Sequence, residues 1–204
     1  AHLDTVTGTP GDDDNASGVA VLLEAAQLVA ESGRALPVEF VGFTLEEEGM
    51  LGSTHYVQEL ARRRETLLGM LSLEMVGFTE SQGLQHYPWF LRGRYPRVGN
   101  YLGLLGNTRS RRLLEATAGA CRRVEGLPVE TILIPGRGRV LPESRLSDHA
   151  PFWDAGHPAL LVTDTAFFRN PHYHRPTDTV DTLDVPFMAK VVQGIVTAIE
   201  TLAG

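Results

Sequence analysis

Residues 37–44, PVEFVGFT, run straight into Glu46, Glu47 and Glu48. A β-branched and aromatic stretch too short for a helix reads as a strand. Three adjacent carboxylates just past a buried strand sit where an ordinary solvated charge run is uncomfortable. The pattern recurs at residues 67–74, LLGMLSLE, which end on Glu74; an ionised Glu there needs a partner. Further strands are expected at 101–105, 129–134 and 159–163. Helical spacing is read at 16–32, where Val19, Leu22, Ala26 and Val29 share a face, and at 53–63, with Ser53 as its N-cap. Helices are also read at 110–124 and from Asp184 to about residue 202, with Pro186 in the first turn of the latter.

This alternation predicts an α/β domain with a mostly parallel sheet, whose strand ends converge on one edge where ligand crevices form. The 204 residues show no repeat and no low-complexity linker, so they read as one domain. Residues 79–100 are rich in Gly, Pro and aromatics and read as a long loop, either a pocket wall or a packed surface segment. A formal charge of -7 argues against a nucleic-acid or anionic-membrane partner. No 18-residue apolar run predicts a membrane span, and no charged-then-apolar leader opens the chain. Cys121 is the only cysteine, so it forms no internal disulfide and leaves the compartment open.

Five segments concentrate the unusual polar residues. In His2-Leu3-Asp4, strand alternation puts both polar side chains on one face, where a carboxylate can fix a metal-binding histidine; a solvated His-Asp pair is the bland alternative. Gly11-Asp12-Asp13-Asp14-Asn15 precedes a helix, where acidic residues suit the helix dipole, but three aspartates exceed what a cap needs. Glu46, Glu47 and Glu48 form the third segment and Glu74 the fourth. The fifth is the stiff stretch from Asn170 to Asp178, with His172 and His174. Two histidines and several carboxylates repel strongly unless cations hold them. A bridging carboxylate with one His and one carboxylate on each side suits two zinc ions, typically ~3.5–4 Å apart. A thiolate-free donor set fits catalytic better than structural zinc.

In order and spacing, A-H-L-D-T-V, G-D-D-D-N-A-S-G, E-E-E-G-M-L-G-S, L-E-M-V-G, S-D-H-A-P-F and H-Y-H-R-P-T-D-T resemble the co-catalytic zinc aminopeptidases. That family includes bacterial secreted leucyl aminopeptidases, aminopeptidase Y, glutamate carboxypeptidase II and the glutaminyl cyclases. The resemblance implies a three-layer α/β/α zinc-exopeptidase (phosphorylase/hydrolase-like) fold with a mostly parallel mixed sheet. It also implies a domain over residues 1–204 that lacks the usual N-terminal strands, either as a fragment or with a partner or unusual packing over the exposed sheet edge.

Carried over residue by residue, His2 and Glu74 match the terminal ligands of one zinc, Glu47 and His174 those of the other, and Asp14 the bridge. Glu46 matches the general base, Glu48 a variable position, Asp4 the partner of the histidine, and Tyr173 a tyrosine that polarises the scissile carbonyl. The resemblance further implies a cis peptide at Asp14-Asn15, a peptide substrate with a free N-terminus, and two zinc ions replaceable by cobalt or manganese. Secreted or periplasmic relatives tilt the compartment that way without fixing it. Three alternatives stay open: a single-zinc glutaminyl-cyclase-like acyltransferase, a non-catalytic receptor or scaffold, and a carboxypeptidase using Arg137, Arg139 or Arg145 to bind a substrate carboxylate.

Overall fold

A computed structural model of the chain describes residues 1–83 and 85–204; Leu84, inside the loop expected at 79–100, lies outside the described residues. Four strands form one open sheet: β1 (Met70–Glu74), β2 (Leu102–Asn107), β3 (Val129–Ile134) and β4 (Ala159–Thr163). Their spatial order is β1-β4-β2-β3. β1 and β4 are parallel, β2 and β3 are parallel, and β2 and β4 run antiparallel, so the sheet is mixed, with two of its three pairings parallel, as expected.

Strand alternation sorts the side chains into two layers. Leu73, Leu102, Leu104, Leu160 and Val162 face a core completed by α1 (Gly18–Glu31), α3 (Arg111–Cys121) and α5 (Val185–Ala203). The opposite layer holds α2 (Leu51–Arg63) and α4 (His149–Ala155), whose Val57, Leu60, Phe152 and Trp153 pack with Phe43 and Ala159. The result is the expected three-layer α/β/α arrangement. By length and composition α5 could span a bilayer; here Val191, Ile195 and Ile199 are buried in the first core, which makes it a core helix.

Local chemistry sets the helix ends. The Asp184 carboxylate accepts the Phe187 N–H at 3.0 Å, and Pro186 occupies the first turn of α5. The Asn107 side chain accepts from Ser110 N–H, so a short turn at Thr108–Ser110 precedes α3 and shortens the helix read at 110–124. α2 starts at Leu51, two residues earlier than expected, after Met50 in a left-handed conformation. Ser53 is therefore inside the helix, donating to the Met50 carbonyl at 3.2 Å, and is not its N-cap. α4 escapes a periodicity reading: seven residues span too few turns, and Pro151 sits in its first turn, where the missing N–H costs nothing.

The largest departure is at 37–44, which forms no ladder strand. Only Phe43 pairs, in a parallel bridge with His2: Phe43 N–H donates to Ala1 O and Leu3 N–H to Phe43 O. Residues 38–41 instead border a cavity of about 620 Å³, shared with Ala1, Leu71 and Leu73. A strand is stabilised by a neighbour's ladder, and a pattern of β-formers does not create one.

Truncating Leu104, fully buried between sheet and helices, to Ala should cost about 2–5 kcal/mol. Urea unfolding should show a lower midpoint with an unchanged m-value.

Candidate metal centre

The site forms where the ends of β1 and three loops meet. Its centre is the irregular turn Asp12–Ser17, which contains a cis Asp14-Asn15 peptide. Other residues grip this turn at almost every position. Asp178 accepts the Asp13 and Asp14 N–H groups, one on each carboxylate oxygen, at 3.1 Å each. Asn15 donates to Leu73 O at 2.9 Å and accepts Met75 N–H at 3.0 Å, tying the turn to the end of β1. Asp13 accepts Gly77 N–H on one oxygen and Asn170 Nδ2–H on the other. Gly18 follows because a Cβ there would lie 2.8 Å from Leu73 O.

Held this way, the buried Asp14 carboxylate faces two histidines. Its Oδ1 lies 3.3 Å from His2 Nε2, and its Oδ2 lies 3.1 Å from His174 Nε2. A second carboxylate completes each side: Glu74 Oε1 is 3.3 Å from His2 Nε2, and Glu47 Oε2 is 3.4 Å from His174 Nε2. Two sets result, His2/Asp14/Glu74 and Asp14/Glu47/His174, each with its donor atoms within 4.8 Å of one another.

The supporting contacts differ from the strand-alternation reading of His2-Leu3-Asp4. His2 Nδ1 is 2.9 Å from the Asp4 backbone carbonyl and 3.6 Å from the Asp4 carboxylate. The other carboxylate oxygen of Asp4 accepts Glu47 N–H at 3.1 Å, so Asp4 steadies both histidine and glutamate. Glu74 is braced by Ser147 Oγ–H at 2.7 Å, itself 3.0 Å from Ser72 Oγ. Tyr173 stacks on His174 with ring centroids 3.7 Å apart. Glu46 is half-buried and belongs to neither set, while Glu48 is exposed. His172 turns away to Thr177 Oγ1. Arg139 and Arg145 pair with Asp154, and Arg145 also donates to the Arg137 carbonyl.

Sequence reasoning passed over Ser147, Asn170 and Asp178 as working parts, and had no account of Asp164. Asp178 and Ser147 lie inside quoted motifs, yet only contacts across more than 70 residues reveal what they hold. Backbone strain also gathers here: Leu45, Met75 and His174 adopt left-handed φ of 58°, 49° and 56° beside or at these residues. Such positions cost of order 1–3 kcal/mol each and persist where the surroundings enforce them.

The electrostatics call for cations. Burial pushes Glu46 up to about 9, reinforced by the Glu74 charge. Burial and the Asp14 charge push Glu47 to about 7, and burial raises Glu74 although His2 opposes it. Burial alone would lower His2, but the Asp14 and Glu74 carboxylates outweigh it and carry the imidazole to about 12. Glu47 Oε1 and Asp4 Oδ1 are buried without a hydrogen-bond partner. Oxygen and imidazole donors in two sets sharing one carboxylate, with such orphaned atoms, fit a pair of zinc-like ions.

The family model described as peptidase family M28 matches residues 1–199. An Escherichia coli K12 protein, the uncharacterised YfbL, is 36% identical over 201 residues, covering 95% of this chain and 60% of its own length. LapB from Legionella pneumophila superposes with a TM-score of 0.78 at 26% identity, over all of this chain and 50% of its own. A zinc aminopeptidase from Bacillus subtilis does so with a TM-score of 0.68 at 25% identity, over 97% of this chain and 44% of its own. The chain thus spans between 44% and 60% of the length of these proteins.

Without metal, the fold should lose stability as pH rises. Glu46 and Glu47 titrate higher in the fold than their ordinary 4.5. Their contribution is full below about pH 4.5, and lost as pH passes through about 7 for Glu47 and about 9 for Glu46. His2, raised from 6.5, acts in the same direction above that value. Thermal melts of chelator-treated protein should therefore show Tm falling from pH 5 to 9. Saturating zinc should reverse the trend, because metal takes the place of those protons. A flat or rising metal-free profile would contradict this electrostatic account.

Proposed function

The chain belongs to peptidase family M28, and on that premise we propose that it is a zinc-dependent aminopeptidase that hydrolyses the N-terminal peptide bond of peptides. The observation that carries this reading is the Asp14 carboxylate, whose two oxygens face different histidines, each accompanied by a further carboxylate. His2, Asp14 and Glu74 would hold one ion, and Asp14, Glu47 and His174 the other, with cobalt or manganese able to substitute. When bound, such ions supply Lewis-acid polarisation of the scissile carbonyl and an acidified water as nucleophile.

The chain's own residues carry the protons. Glu46 is in neither ligand set, so its carboxylate is free to accept the proton of the attacking water and pass it to the leaving amine. Its pKa of about 9 is that of the cation-free site; cations beside it draw the value down toward a base that works near neutrality. Burial and the surrounding carboxylates, Asp14 foremost among them, hold Tyr173 well above the usual phenol range. It therefore keeps its hydroxyl proton and can donate to the carbonyl oxygen as charge develops there. Asp4 holds the Glu47 backbone and flanks His2 on the other ring nitrogen, fixing one member of each ligand set. The free α-amine of a substrate would meet the site's excess of carboxylates, which restricts cleavage to the terminal residue.

Elemental analysis of protein purified without chelator should give two zinc ions per chain, alongside chelator-sensitive hydrolysis of aminoacyl chromogenic amides. One ion and ammonia release from N-terminal glutamine would replace this reading by the cyclase. Glu46→Gln should lower kcat by at least about 10²–10⁴-fold while both ions stay bound. Wild-type turnover in that variant would remove Glu46 as the base.

A further inference from the structure

On the sheet face turned away from α1, α3 and α5, the register aligns four residues in one row across all strands. Glu74 of β1 is beside Thr163 of β4, Thr163 beside Gly103 of β2, and Gly103 beside Glu130 of β3. The row therefore begins at a candidate metal ligand and ends on another carboxylate. Strands are ~4.8 Å apart, so Glu130 stands three steps, or ~14 Å, from Glu74 across the sheet. Gly103 leaves the middle of the row without a side chain; a Cβ there would lie 3.2 Å from Thr163 O and 3.3 Å from Thr165 Cγ2. The next row is Ser72, Leu161, Leu105 and Ile132, apolar at every position beyond β1.

Over this floor lies a cleft of about 120 Å³, whose lining includes Glu74, Tyr173, Glu130 and Glu143. Part of its wall comes from the 85–95 stretch of the long loop, through Tyr87, Leu91 and Tyr95. That wall is fastened. Tyr95 Oη–H donates to Thr131 O at 3.1 Å, across the edge strand. The buried Arg169 donates to Gln85 Oε1 at 2.9 Å, Phe78 O at 3.2 Å and Tyr101 O at 2.8 Å, and lies over the Tyr101 ring. The cleft is thus a fixed feature of the fold.

The occupant's chemistry follows from the far end. Among the described residues no Arg or Lys lines the cleft, and neither Glu130 nor Glu143 forms a salt bridge. A half-buried carboxylate against apolar surface is costly unless a cation meets it. A leucine side chain extending from a backbone held at Glu74 and Tyr173 stops over Gly103, short of Glu130. A long aliphatic stem ending in a cation crosses that apolar stretch and reaches the carboxylate.

We propose that this cleft receives the side chain of the substrate's N-terminal residue and selects arginine or lysine, with its stem over Thr163 and Gly103 and its charge at Glu130. The proposal rests on the aminopeptidase reading for what binds at Glu74. The test compares kcat/KM of the zinc-loaded full chain on chromogenic amides of arginine, lysine, leucine and norleucine, the last being close to lysine without its charge. Arginine and lysine should exceed norleucine by at least about tenfold, chiefly through KM, the factor expected of a charge-assisted hydrogen bond. Glu130→Gln should bring the arginine-to-norleucine ratio near one, and Glu130→Asp should restore part of it. Leucine or norleucine matching lysine in the wild type, or a ratio unmoved by Glu130→Gln, would overturn the proposal. Should no amide be hydrolysed, the aminopeptidase reading fails by itself; calorimetric binding of argininamide against norleucinamide then decides the cleft, tighter argininamide supporting it and equal affinity overturning it.

Discussion

Everything at the candidate metal centre depends on one short turn being held from outside. Residues 12–17 do not have the hydrogen bonds of a regular helix: Asp14 and Asn15 have non-helical φ and ψ. Their backbone and side-chain groups are satisfied instead by Asp178, Asn170, Leu73, Met75 and Gly77, contributed by β1 and two loops. Buried polar groups left unpaired are expensive, so each partner locks the turn in one conformation. Because the partners also belong to the segments carrying Glu74 and His174, fixing the turn fixes one member of each histidine–carboxylate set around Asp14, while Asp4 holds His2 and Glu47.

A second constraint is charge. Asp14, Glu47 and Glu74 crowd within reach of two imidazoles, and Glu46 stands beside them. A fold assembled for its own stability would not crowd four carboxylates this way; the raised proton affinities of Glu46, Glu47 and Glu74 measure the cost. Nearby lies another acidic pair. Burial raises Asp13 and raises Asp164 well above the usual carboxylate range, with each next to the other. That pair supports the turn through Gly77 and Phe78 N–H groups rather than facing the two imidazoles. The acidic residues thus divide into a set gathered around the two imidazoles and a set that holds the backbone.

Much of this was legible in the residues. The strands at 129–134 and 159–163 were read with their observed bounds, because short apolar runs flanked by turn residues leave little choice. The helices after Ala16 and Asp184 were legible from apolar spacing and from Asp184 and Pro186. Residues 37–44 misled because β-propensity reports a suitable surface, while a ladder needs a neighbour, which only Phe43 has. α4 was too short to show a period. The antiparallel β2–β4 pairing left no trace in either strand's composition, since a buried strand is apolar on both faces whatever its neighbour's direction.

The sequence alone determined the α/β class, the positions of most helices, and the short list of carboxylates and histidines from which a metal site could be drawn. Apolar periodicity and the grouping of acidic residues at strand ends are local, and local patterns are readable in a string. Tertiary structure decided which oxygen of Asp14 faces which histidine, and that Asp178 and Ser147 brace the centre. It also decided that the Asp4 carboxylate binds the Glu47 backbone, and that Glu74 and Glu130 end one row across the sheet. Those facts depend on register and on contacts spanning tens of residues, which form only when the chain closes on itself.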